Sequence, residues 1–185
     1  MSGNIRLETA EARGTMDRLD IEILKELLPA DKEVTPRLPK KQSSHTPHLD
    51  HWSPAVLLER AAYLRKLAKS GDGQASETLK EYPGHAAMLS FRSRDGEAEL
   101  HEHFADIFIV LDGRATLVTG GTIAAPRKIG PGETRGDRVE GGARQDLRTG
   151  DVAHVPAGVP HQMLLAGEKT VTCLVVKIHE NTDKP

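Results

Sequence analysis

From His85 onward, apolar residues recur at every second position between Gly- and Pro-rich turns, a pattern that commits the chain to paired strands rather than helices. The alternation predicts strands near Ala86–Arg92, Ala98–Phe104, Ile107–Leu111, Ala115–Thr119, Asp151–Val155, Gln162–Leu165 and Thr170–Ile178. Short strands in such a series define an all-β sandwich or barrel, so the fold class is mainly β and antiparallel. Ile107 to Leu111 and Thr170 to Ile178 are apolar on both faces, so something must cover their outer sides.

The N-terminal part has a different period. Thr15 to Leu28 places Leu19, Ile23, Leu24 and Leu27 on one helical stripe. Residues 29–54 are rich in Pro, Lys, Ser and His and read as a linker or a surface arm. A second helix begins where Ser53 can cap and Pro54 fits the first turn; Leu57, Leu58, Ala61, Leu64 and Ala68 share its face, and Gly71 ends it. A third, short helical piece is expected around Ser76 to Tyr82. The chain therefore divides into an N-terminal helical arm and linker (1–52), a helical segment packed on the barrel (53–83) and the barrel itself (84–180). Gly120 to Thr149, Gly-rich and charged, reads as an insertion forming one extended hairpin.

Composition narrows the function classes. With 25 Lys and Arg against 27 Asp and Glu, no net field favours nucleic acid or an anionic membrane as partner. No apolar run reaches the roughly 20 residues of a membrane span. The polar start MSGNIRLETAEARG lacks the apolar core of a secretory signal, so a cytoplasmic protein is expected. The lone Cys173, in an apolar run, reads as a buried inert thiol.

The chemistry lies in two segments. In ELHEHF, His101 and His103 alternate with their neighbours, so on a strand both imidazoles point to one side and can share an ion. Asp106 follows and could add a carboxylate. In GDVAHVPAGVPH, a turn of Pro156, Gly158 and Pro160 aims His161. By parity Phe108 and Val110 share a face with Asp106, and Met163 and Leu165 share one with His161, giving a mostly apolar pocket for a small organic ligand.

Together the segments resemble the two signatures of the cupin superfamily. Gly96, His101, His103, Asp106 and Gly113 stand in the order of the first motif, and Gly150, Pro156, Gly158 and His161 match the second position for position. The resemblance covers about Gly84 to Ile178. It implies a jelly-roll β-barrel, and frequently a dimer. It also implies one divalent ion (Fe, Mn, Zn, Ni or Cu) held by His101, His103, Asp106 and His161. Two positions depart from the pattern. The acid is Asp rather than Glu and follows His103 after two residues where the family usually has three or four; Leu165 replaces a closing Asn.

An enzyme acting on a small organic molecule is expected, with dioxygenase-type oxidation first. An isomerase, a lyase or a non-catalytic binding module is the alternative. The apolar outer faces predict a homodimer. Weaker candidates are His45, His48 and His51 with Asp50, which read as solvated linker; His154, which reads as a strand histidine; and Arg135, Arg138 and Arg144, which read as a charged hairpin.

Overall fold

The structure is a computed structural model and describes residues 49–165 and 170–180. The segment Thr15 to Leu28, expected to be helical, and His45 and His48 lie outside the described residues. The element order is one helix, α1 (Pro54–Ser70), then β1 (Gln74–Tyr82), β2 (His85–Arg92), β3 (Ala98–His101), β4 (Phe104–Thr119), β5 (Thr122–Ala124), β6 (Arg127–Gly130), β7 (Glu133–Gly136), β8 (Arg138–Glu140), β9 (Ala143–Arg148), β10 (Val152–Val155), β11 (His161–Leu164) and β12 (Val171–His179).

Helix α1 starts and stops as its sequence dictates. The Ser53 hydroxyl accepts a hydrogen bond from the Val56 amide at 3.3 Å, and the Gly71 amide donates to the Leu67 carbonyl at 3.0 Å. Leu57, Ala61, Leu64 and Ala68 are buried against β1 and β2, packing with Leu79, Leu89 and Phe91. Each buried Leu contributes about 1.5–3 kcal/mol. Leu58 departs from the expected stripe and is 42% exposed: it lies one residue, about 100° of arc, from Leu57. A forked ion pair between Arg60 and Glu77 fastens the helix to β1.

The segment Ser76–Tyr82 is not helical. It lies within β1, with Glu77 and Leu79 buried and Ser76, Thr78 and Lys80 exposed, and pairs antiparallel with β2. Pairing with β2 supplies hydrogen bonds that an isolated short helix would lack, and the two-residue alternation fits it.

The sheet curls on itself in the order β1-β2-β12-β4-β11-β3-β7-β6, with β9 and β10 also pairing to β4. Strand β4 is one 16-residue strand where two were expected, and it joins the two walls of the barrel. Its first half pairs with β12 and β10, its second with β9 and β11. The passage runs through Gly113, at φ +88°, where a Cβ would stand 2.2 Å from the Thr170 carbonyl oxygen. A glycine is therefore required there. Between the walls lies the main core of Val110, Leu117, Leu147, Val155, Met163, Leu165, Val171, Cys173 and Val175. This is the antiparallel jelly-roll barrel of the cupin, or double-stranded β-helix, class.

The Gly120–Thr149 insertion is not one hairpin. Turns at Gly121, Gly132 and Gly141, all at positive φ, fold it into β5 to β9; β7 pairs with β3 and β9 with β4, so it completes a barrel wall. Among the described residues, no helix is long and apolar enough to cross a membrane.

Candidate metal centre

Three strand ends meet inside the barrel. Strand β3 delivers Glu99 and His101, the start of β4 delivers Asp106, and the first residue of β11 is His161. Each offers one donor atom, and these atoms lie within 4.8 Å of one another. His101, Asp106 and His161 are 2–3% exposed. His101 Nε2 lies 3.3 Å from Asp106 Oδ2 and 3.4 Å from Glu99 Oε2; His161 Nε2 lies 3.4 Å from the same Asp106 oxygen.

The turn before His161 is pinned rather than loose. Gly158, at φ +76°, donates its amide to the His101 carbonyl at 2.7 Å, and Gly120 donates to the Pro160 carbonyl at 2.8 Å. His161 Nδ1 then faces the Val159 carbonyl at 3.1 Å. An imidazole that donates from Nδ1 carries its lone pair on Nε2, which here is buried with no hydrogen-bond partner among the described residues. His101 Nδ1 is held by Glu133 Oε2 at 2.5 Å, the carboxylate–histidine arrangement that orients metal-bound imidazoles. Two Nε2 atoms and two carboxylates thus face one point, one Nε2 an orphan. This set fits a divalent ion.

Charge is balanced around it. Burial raises the Glu99 pKa, but the hydrogen bond from His101 and the charges of Arg135 and Arg92 outweigh it and hold the group well below the ordinary carboxylate range. Asp106 is likewise held well down: burial opposes ionisation, and the contacts of His101, His161 and Lys177 overcome it. Burial lowers the His101 pKa and Lys177 opposes protonation as well, yet Asp106, Glu133 and Glu99 raise it to about 10.

His103 is not brought to this cluster. Strand β3 ends at His101 and residues 102–103 form a bend, so the alternation that equated the two histidines breaks between them. His103 is exposed, its ring 6.4 Å from that of His179 and beside the Gly132 turn. The partner of His101 on the same strand face is Glu99, which parity could have supplied from the sequence. Read in that register, Glu99-x-His101 is followed by Asp106 after four residues, and the spacing anomaly disappears.

The other expected residues are placed as follows. Val110, Met163 and Leu165 are buried in the barrel core and Phe108 packs against it; the Phe108 ring also meets that of His161 edge-on at 6.0 Å. A shallow cleft of about 430 Å³ is lined instead by Glu81, Tyr82, Gly84, Ala86, Phe104 and His179, among others. Arg135 is paired with Glu99, and Arg138 with Glu140. Asp50 accepts from the Tyr82 hydroxyl at 2.7 Å, and His51 and His154 are exposed. Cys173 is buried, and burial pushes its thiol up to about 12, so it is inert.

No protein-family model matches the sequence, and no curated protein matches it. Among solved structures, the chain is similar to a Klebsiella pneumoniae protein with a double-stranded β-helix domain, at 16% identity and TM-score 0.44, covering 59% of this chain and 79% of that one. It is similar to a cupin superfamily protein of Desulfitobacterium hafniense at 17% identity and TM-score 0.40, covering 58% and 78%. It is also similar to a variant of salicylate 1,2-dioxygenase from Pseudoaminobacter salicylatoxidans at 14% identity and TM-score 0.47, covering 65% of this chain and 31% of that one. By its strand pairing, the chain has the cupin, or double-stranded β-helix, fold.

Proposed function

We propose that the chain is a metal-dependent enzyme acting on a small organic molecule, with Glu99, His101, Asp106 and His161 as ligands to one divalent ion. The observation that carries this is the buried Nε2 of His161, without a hydrogen-bond partner among the described residues and aimed at two carboxylates and a second imidazole. Two histidines with carboxylates and open positions suit ferrous iron and oxidation of the dioxygenase type. Such an ion would supply adjacent sites for dioxygen and substrate, while the barrel residues orient the substrate and exclude water. The second carboxylate, Glu99, favours the alternative of a harder, redox-inert ion polarising a carbonyl in an isomerase or lyase. Elemental analysis of protein purified without added metal tests the reading. Stoichiometric iron with substrate-dependent oxygen uptake is expected; tight zinc or manganese favours the alternative, and no bound metal sinks both.

The same reading includes a cytoplasmic homodimer. Helix α1 packs with Leu111 and Leu174, but Ile107 and Ile109 on β4 are only half-buried. In register beside them stand Val176 and Val152, the latter 64% exposed. A two-fold contact would cover this stripe. Light scattering during gel filtration is expected to give twice the chain mass, falling to one with Ile109→Glu; a single-chain mass for the wild type removes the dimer.

A further inference from the structure

On β12, Val171, Cys173 and Val175 point into the barrel core, and the next position of that row is Lys177. It stands in register with Asp106 on β4. Its ammonium reaches the donor cluster: Nζ lies 2.9 and 3.2 Å from the two Asp106 oxygens and 2.9 Å from His101 Nε2. These are atoms that a divalent ion would use. With ligand bonds of about 2.1 Å, an ion on that nitrogen would lie no more than about 5 Å from Nζ, and two cations that close in a buried site repel strongly.

We propose that Lys177 is a tethered cation that holds the ligand cluster assembled without metal, and that metal entry requires its displacement; this rests on the metal reading above. The charges support the exchange. Glu99 has Arg92 and Arg135 as its own partners, and Glu133 has His101. Asp106 is 2% exposed, a depth at which an unpaired carboxylate is costly; beside the imidazoles of His101 and His161, the Lys177 ammonium meets both of its oxygens and serves as a counter-ion. The lysine can also leave. Its side chain is 25% exposed, the stem is flexible, and its cross-strand neighbour Ala86 lines the open cleft. The cluster therefore holds the ammonium or the divalent ion, and a displaced Lys177 would face a bound substrate from the cleft side, where it favours an anionic group.

The test uses the full chain, zinc as the probe, and Lys177→Met, which keeps most of the stem and removes the charge. Competition against a chromophoric chelator at pH 7.5 is expected to show zinc bound about tenfold or more tighter by the variant, the scale of removing one like charge from beside an ion. In the wild type, amine modification of Lys177 followed by mass spectrometry is expected to be slow without zinc and fast with it. Should Lys177→Met fail to fold, Lys177→Gln and the wild-type labelling decide. Stoichiometric zinc binding with equal or weaker affinity in the variant overturns the exchange and leaves the metal site standing. So does labelling that zinc does not change. Zinc binding by neither protein overturns both.

Discussion

His161→Ala is expected to abolish stoichiometric metal binding while the barrel stays folded. The imidazole is first in β11, held from behind by the Val159 carbonyl, and among the described residues its other nitrogen has no hydrogen-bond partner, so removing the ring takes away a ligand and little else. Partners outside the coordination shell, such as Glu133 behind His101, are commonly worth about 10–100-fold in affinity, so a ligand should cost more. Glu99→Gln and His101→Ala should fall in the same range. His103→Ala should leave affinity unchanged, because that ring stands in the bend against His179. The four variants thus separate two registers of one motif. Elemental analysis and zinc titration measure them, with circular dichroism to confirm folding. Equal metal in wild type and His161→Ala would remove the site, and loss with His103→Ala but not Glu99→Gln would restore the His-x-His register.

What the sequence made legible was whatever depends on neighbours along the chain. Alternation marked the strands and the inward faces; Ser53, Pro54 and Gly71 marked α1; the Pro156–Gly158–Pro160 turn pointed to His161. Two local readings failed because a local signal was outweighed. Ser76–Tyr82 became strand because β2 offered a full antiparallel partner, and His103 left the ligand face because the strand stopped two residues before it. The remaining parts of the site depend on which strands meet. Glu133 reaches His101 because β7 pairs with β3 in that register, and Lys177 reaches Asp106 because β12 pairs with β4. Parity within a strand says which face a residue takes but not what stands opposite. Nothing along the chain therefore marked Glu133, inside the charged insertion, or Lys177, inside the last strand, as neighbours of the cluster.

The same electrostatics predict opposite pH trends for the metal-free and metal-bound forms. Without metal, His101 is surrounded by Asp106, Glu133 and Glu99, which raise its pKa to about 10 from an ordinary 6.5. A group raised in this way stabilises the folded state fully below its unfolded value and loses that contribution as pH rises through the folded one. Metal-free protein should therefore become less stable between about pH 6.5 and 10. Metal needs the His101 Nε2 lone pair, for which the proton and the Lys177 ammonium compete, so an ion bound to the protonated form expels that proton. Apparent affinity should rise about tenfold per pH unit and level off near pH 10. Asp106 and Glu99 do not reverse the trend, since both stay ionised until the pH falls well below the ordinary carboxylate range. The shift in melting temperature produced by zinc should then grow with pH for two reasons at once, a weaker metal-free state and tighter binding. Chelator competition and thermal melts at pH 6.5, 7.5 and 8.5 measure the two separately. An affinity that does not change over that range would mean that His101 is already neutral, and that the three carboxylates around it do not hold the proton.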